Sequence, residues 1–390
     1  MKSRLLLNLF AVALAAAVWL PCLHFFFRPK FADFWQENGV PPIARQLAAR
    51  HLAIWTDPQL RQQELAQMQQ HNPEWDFMSR TYFVLALANM ALRDDTYRAS
   101  ALEIIEAIIE NTLTVERDTG FQAFLLDYGK SGGWKMQPPR SIFIDGEIAL
   151  MIAARRMIAE RADYQPLLAE RVAIMIERMK LSPVLSAESY PDECWIFCNT
   201  VALAAIRLSD VLDGTDHRAF LRDWIVTAKR RLSEPQSGLL ISTYAVDGMP
   251  LSAGPGPEGT SIWMACNMLQ VVNAEFAADQ YRRARNELGR SFLGFGYSRE
   301  WPQTSEGAMD IDSGPIVPIF EASASASGLA FLGAAGFRDV EYLTQLMTSL
   351  NFAGFPLKRG DALQYQTSNP VGDAVLLYAL VQGPLWEKAK

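Results

Sequence analysis

The chain has 390 residues, half of them apolar, and a formal net charge of -7 from 36 basic and 43 acidic side chains. That length and apolar content can bury a core without covalent staples, and four cysteines do not make a disulfide framework. Basic residues come only in short groups such as Lys229-Arg230-Arg231, which excludes an electrostatic footprint for nucleic acid, so no nucleic-acid partner is expected.

The first element is apolar throughout. Residues 5–27 contain no Asp, Glu, Lys or Arg and follow Lys2 and Arg4. A span of that length can cross a bilayer. A secretory leader has a shorter apolar region and a small-residue A-x-A site, whereas this run ends PCLHFFFRPK, so residues 1–30 read as an uncleaved membrane anchor. Trp19, Leu20 and Pro21 are too bulky for lipoprotein processing at Cys22. Lys2 and Arg4 favour a cytoplasmic amino terminus, although Arg28 and Lys30 oppose them from the other side. The expected arrangement is a single-pass membrane protein with its globular part, residues 31–390, in the periplasm or otherwise outside the cytoplasm.

From there the pattern is helical almost to the end. Apolar residues recur at three- and four-residue spacing in ARQLAARHLAIW, DFMSRTYFVLALANMAL, YRASALEIIEAIIENTL, FIDGEIALMIAARRMIAE, WIFCNTVALAAIRLSDVL and seven further segments, predicting about a dozen helices. Strand-like alternation is limited to short stretches such as LLISTYAV. Tight connections (RDDT, RAD, DGTD, AAD, FRD) alternate with long ones at residues 114–141, 181–193, 233–259, 289–318 and 351–371. Short loops join antiparallel neighbours, and long loops in a compact domain usually carry function. This alternation predicts an all-α (α/α)6 barrel, or toroid, with every long loop at one end. An open solenoid would show a fixed repeat, which the sequence lacks.

The long loops hold the candidate chemistry. Glu147, Asp192, Glu258, Asp310 and Asp312 are the carboxylates that an enclosed cavity could split into a proton donor and a base. Each alone also fits a helix cap or a loop ion pair. Asp312 is the least ordinary of them, since DIDSGP suggests a shaped loop. In YPDECWIFCN, Cys194 and Cys198 fall at i and i+4 near a helix start, where the dipole would lower a thiol pKa; two small buried core residues are the alternative. Tyr190, Cys194, Asn199, Tyr244, Tyr297, Arg299, Trp301 and Asp310 are candidate substrate contacts. GxGxxG and Walker patterns are absent from the glycine-rich runs, and neither H-E-x-x-H nor CxxC occurs, so no nucleotide, metal or other cofactor is expected.

PDECWIFCN, followed by LDGTDHRAFLRDWIVTAKRRLSEPQSGLLISTY, resembles the linalool dehydratase/isomerase family over residues 190–247, with weaker correspondence at residues 76–92, around Gly146 and at DIDSGP. The resemblance implies an (α/α)6 barrel that can assemble as a homo-oligomeric ring, with a cofactor-free central site. It also implies an activity that adds or removes water on a tertiary allylic terpene alcohol and isomerises it to a primary one. The family's second cysteine falls on Cys198, between Pro191-Asp192 and Asn199; the first falls on Ser189, a histidine on Glu147, and a tyrosine near Gly259, beside Glu258. The same scaffold with different proton-carrying groups is therefore expected, acting on a small-molecule alcohol, terpenol or lipid-like, with Cys198, Glu147, Asp192, Asp312 and Glu258 as the catalytic set. A glycan-modifying barrel with paired carboxylates and a non-catalytic ligand-binding barrel are the alternatives.

Overall fold

The computed structural model describes residues 2–251, 256–305, 307–311 and 314–390. After α1 (Lys2–Trp19) a short 3-10 turn (Leu20–Phe26) and α2 (Phe31–Phe34) lead to α3 (Pro42–Thr56) and α4 (Pro58–His71). Eleven longer helices follow, inner and outer in alternation, beginning with α5 (Pro73–Arg93), α6 (Arg98–Thr119), α7 (Ile142–Ile158) and α8 (Tyr164–Leu181). Then come α9 (Ile196–Asp213), α10 (Arg218–Arg231), α11 (Gly259–Val272), α12 (Ala274–Glu287), α13 (Ala324–Gly336), α14 (Val340–Ala353) and α15 (Pro370–Val381), with a last turn α16 (Pro384–Lys388). Helices α5, α7, α9, α11, α13 and α15 each pack on the next, and α15 packs back on α5, closing a ring of six.

Composition decides which helices go inside. All 17 residues of α7 are buried, as are most of α5 and α15, so these helices need partners on every side. Helix α12 buries only the stripe Phe276, Ala277, Gln280, Tyr281 and Ala284, and α10 only Leu221, Trp224, Ile225 and Ala228, which suits an outer position. Arg93 closes the seam between first and last inner helices, donating to the carbonyls of Val381 (2.6 Å) and Gln382 (2.8 Å) and to those of Gln36 and Glu37 (both 3.1 Å) in the neck.

The architecture is the (α/α)6 barrel expected, and every long connection enters an inner helix at its N-terminus while the short ones leave its C-terminus. One connection is not the plain loop that the sequence suggested. Residues 289–323 form a five-stranded antiparallel sheet ordered β3-β4-β7-β6-β5, with β3 (Gly289–Phe292), β4 (Phe295–Arg299), β5 (Asp310–Ile311), β6 (Gly314–Val317) and β7 (Ala322–Ser323). Its strands are two to five residues long, too short for alternation to register as a periodic signal. Two-stranded ladders join β1 (Cys194–Trp195) to β2 (Thr243–Tyr244) and β8 (Pro356–Arg359) to β9 (Ala362–Tyr365).

Candidate functional site

A cavity of about 1020 Å³ lies where the inner helices begin. The first turns of all six supply wall residues: Glu74 and Trp75 from α5, Phe143 from α7, Phe197 and Cys198 from α9, Thr260 and Ser261 from α11, Ala324 and Ser325 from α13, and Gly372 and Asp373 from α15. Six helix N-termini converge on one volume and give its floor a positive bias. The side walls are aromatic and aliphatic, with Tyr128, Tyr190, Trp195, Tyr297, Trp301, Met78, Met264, Leu346 and Leu350 among them.

Local contacts hold these walls in place. Tyr190 stacks on Tyr128 with ring centroids 4.4 Å apart and accepts a hydrogen bond from the Leu126 amide at 3.1 Å. Gly129 makes that seat possible, because a β-carbon there would lie 2.6 Å from the Tyr190 ring. Phe197 meets Phe143 and Trp195 edge-on, each at 6.0 Å. Trp301 lies against Gly307 and donates to the Ala308 carbonyl at 2.9 Å. At the opposite wall, Glu300 is fully buried and accepts from the Thr260 amide (3.0 Å) and hydroxyl (2.7 Å) and from Ser323 (2.6 Å), tying the starts of α11 and α13 together. Burial raises the Glu300 pKa, and those bonds oppose the rise.

The electrostatic centre lies between α5, α7 and α9. Glu147 is buried in α7, and burial, opposed by the Thr81 hydroxyl that donates to it at 2.6 Å and reinforced by the charge of Glu74, pushes its pKa up to about 8. Cys198 lines the cavity; burial drives its thiol pKa well up, against a hydrogen bond with the Ser189 hydroxyl, and the Glu147 and Glu74 charges raise it further. The Tyr82 phenol is raised by burial first and by Glu147 next, with smaller effects from Tyr378 and Cys198. Ser189, Cys198 and Glu147, three of the four positions that the family resemblance singled out, are thus one cluster, in which the thiol and the acid hold their protons near neutral pH. At the far wall Asp373 is paired with Arg50 at 2.9 Å, and burial lifts its pKa to about 6 against that pairing.

Of the two cysteine readings, burial in the core agrees with both thiols, at 0% and 2% exposure, and the shared helix start needs correction. Helix α9 begins at Ile196, so Cys194 sits in β1 opposite Tyr244 rather than one turn from Cys198 on a shared helix face. Burial also reverses the expected pKa shift: both thiols are raised, because desolvation of a thiolate outweighs the helix dipole. Cys194 is a core residue. At neutral pH, Cys198 is expected to react with iodoacetamide at least tenfold more slowly than an unperturbed thiol, since each pKa unit removes about nine-tenths of the thiolate. Peptide mass spectrometry over a pH series reads this; rapid modification at pH 7 would contradict a protonated thiol.

Of the other expected site residues, Glu258, Tyr190, Tyr297 and Trp301 line the cavity. Asp192 does not. It pairs with Lys135 at 3.6 Å with 40% of its side chain exposed, which does not fit the place in the catalytic set expected for it. Asn199 spans the Ala187 amide and carbonyl and the Trp195 carbonyl, and Tyr244 bonds Ser186 at 2.9 Å, so both fasten loops in the core. Arg299 pairs with Glu321, and Asp310 is exposed in β5. Asp312 falls outside the described residues. Glu74 and Asp373 were missed because acids in a first helical turn read as ordinary capping charges. Asn72 and Asn369, which cap α5 and α15, were the available signal that those turns open at the loop face.

A model of the linalool dehydratase/isomerase family matches residues 159–368. The chain belongs to the linalool dehydratase/isomerase family. Among solved structures, an unsaturated glucuronyl hydrolase specific for heparin aligns at a TM-score of 0.50 and 10% identity, over 86% of this chain and 96% of that one. A GH76 alpha-mannanase from Bacteroides thetaiotaomicron aligns at 0.49 and 11%, over 80% and 86%, and a D-mannose isomerase at 0.48 and 13%, over 78% and 86%. The family match takes in α9 with Cys198, Glu258 and the sheet, while Glu147 and the α5 acids lie before its first residue.

Proposed function

We propose that this protein is an acid/base enzyme of the family that eliminates, adds or relocates water on an apolar unsaturated alcohol. Support comes chiefly from one juxtaposition: a thiol that lines an aromatic-walled cavity and a buried carboxylic acid whose charge acts on it, both keeping their protons near neutral pH, in a member of this family. The substrate hydroxyl takes a proton from Cys198, which Glu147 replenishes. The C–O bond breaks with its electron pair on oxygen and water departs. The allylic cation left behind is stabilised by the faces of Trp75, Phe143, Trp195 and Phe197. Either Glu74 or Glu258 then removes a proton from the neighbouring carbon to form the diene, or water returns to the far end of the allyl system and loses its extra proton to the same base, giving the isomer. The proton taken up by the base returns to Glu147 through solvent, so the cycle balances.

A lining that is mostly apolar, with serine, threonine, asparagine and acid side chains among it, favours an apolar alcohol over a glycan, whose hydroxyls need polar partners around the whole ring. Incubating the full chain with linalool, geraniol and longer polyprenyl alcohols in oxygen-18 water tests it. The expected result is oxygen-18 in recovered alcohol together with diene or isomer. Absence of both exchange and product for every alcohol, with a folded protein, would count against the reading.

A further inference from the structure

We propose that the loop end of the barrel is seated in a lipid bilayer, so that the cavity opens toward the membrane rather than toward bulk water. Helix Arg4–Phe26 has a mean hydropathy of 2.2 and none of it is buried; it is long and apolar enough to span a membrane, as a secretory leader also is. The chain that follows does not swing free. His24 and Phe27 pack on Phe295 of the β3–β4 hairpin, Phe27 and Phe295 both meet Phe352 at the end of α14, and Asn351 donates to the Phe27 carbonyl at 2.9 Å. The base of the apolar helix is therefore fixed against one face of the barrel.

That same face is apolar where a water-facing surface would be polar. Phe292 at the hairpin tip is half exposed and touches Phe320 of the β6–β7 turn, and Ile319 beside it is 94% exposed. Phe355 stands out of the turn after α14 at 60%. The backbone holds these side chains outward. Ile319 has φ +73 and lies in a γ-turn closed by the Phe320 amide on the Pro318 carbonyl, a conformation that a β-branched residue rarely adopts. Leu293 and Phe355 likewise have φ of +48 and +50.

Exposed apolar patches of this kind mark an interaction surface, and here the occupant follows from continuity. The patch surrounds the exit of an element whose own surface suits only lipid, and Arg28 and Lys30 follow at once, as charged residues do at a headgroup layer. The cavity meets the patch directly: Val317 is exposed and lines it, and Ala353 and Gly354 line it between Phe352 and Phe355. An apolar ligand dissolved in the bilayer would enter without crossing water. The placement rests on retention of Arg4–Phe26 in the bilayer and not on the reaction proposed above.

Position can be read without turnover. The full chain carrying Cys22→Ser and Ile319→Cys, labelled with an environment-sensitive fluorophore, is reconstituted in phosphatidylcholine nanodiscs with and without doxyl-labelled lipid. A second variant carries the label at Asp95, an exposed site in a short loop at the other end of the ring. The expected result is blue-shifted, lipid-quenched emission at 319 and water-like, unquenched emission at 95. Water-like emission at 319 overturns the proposal. So does emission at 319 that is blue-shifted but insensitive to doxyl lipid, because a second copy or another protein would then cover the patch. Phe292→Ser together with Phe320→Ser, both at exposed positions, should leave the fold intact and reduce quenching at 319; unchanged quenching also counts against the seat.

Discussion

Replacing Glu147 with glutamine is expected to abolish turnover and, at the same time, to stabilise the protein. Glu147 resupplies the proton that Cys198 gives to the substrate, and loss of such a proton donor costs about 10² to 10⁴ in rate. The stability effect follows from the direction of the pKa shift. Burial holds Glu147 at about 8 in the fold against 4.5 for the ordinary side chain, so between those values the native state keeps a proton that the unfolded chain has released. Stability therefore falls as pH rises through that window. At pH 7 the penalty has an upper limit of roughly 3 kcal/mol. Glutamine removes this penalty and still accepts the Thr81 hydrogen bond. Urea denaturation should show the variant exceeding the wild type at pH 8, with the gap closing toward pH 4.5. The wild-type rate should decline above pH 8 as the acid ionises. A variant less stable than wild type at pH 8 would make Glu147 a structural group and remove it from the mechanism.

Arg80→Met is expected to carry the largest loss of stability. Arg80 and Asp76 are both buried in α5, and the guanidinium meets the two carboxylate oxygens at 3.1 and 3.0 Å while donating to Asn111 and Thr112 of α6. Methionine fills similar volume but leaves Asp76 charged, buried and supported mainly by Gln69. Breaking a buried pair from one side costs about 3 to 5 kcal/mol, whereas removing both charges costs far less. The double variant Asp76→Asn with Arg80→Met should recover most of the loss in a denaturation cycle. No recovery would show that the arginine acts through packing on Trp55 and Phe124, whose rings lie 5.7 and 5.6 Å from its guanidinium carbon. Because Glu74 and Trp75 open the same helix, the single variant should also disturb the cavity wall.

The barrel was legible in the chain because two signals agreed. Helical spacing runs almost to its end, and long connections alternate with short, which leaves a closed ring as the compact solution. The apolar first helix was equally plain. The small sheet was not, since strands of two to five residues carry too few alternating positions. Nor could spacing place Cys194: the i, i+4 argument assumed one helix through residues 194–198, and the ladder to Thr243-Tyr244 ends the extended segment at Trp195 instead.

Helical class, the end of the barrel that gathers the loops, and the residue types available there could be read along the chain, because burial demand and connection length are local properties. Which acids share a cavity and which face solvent depended on how the helices pack. Glu147 and Asp192 look alike as letters, yet one is enclosed among inner helices and keeps its proton while the other pairs with Lys135 at the surface. Desolvation depends on every segment packed around a group, and no window of sequence contains them all.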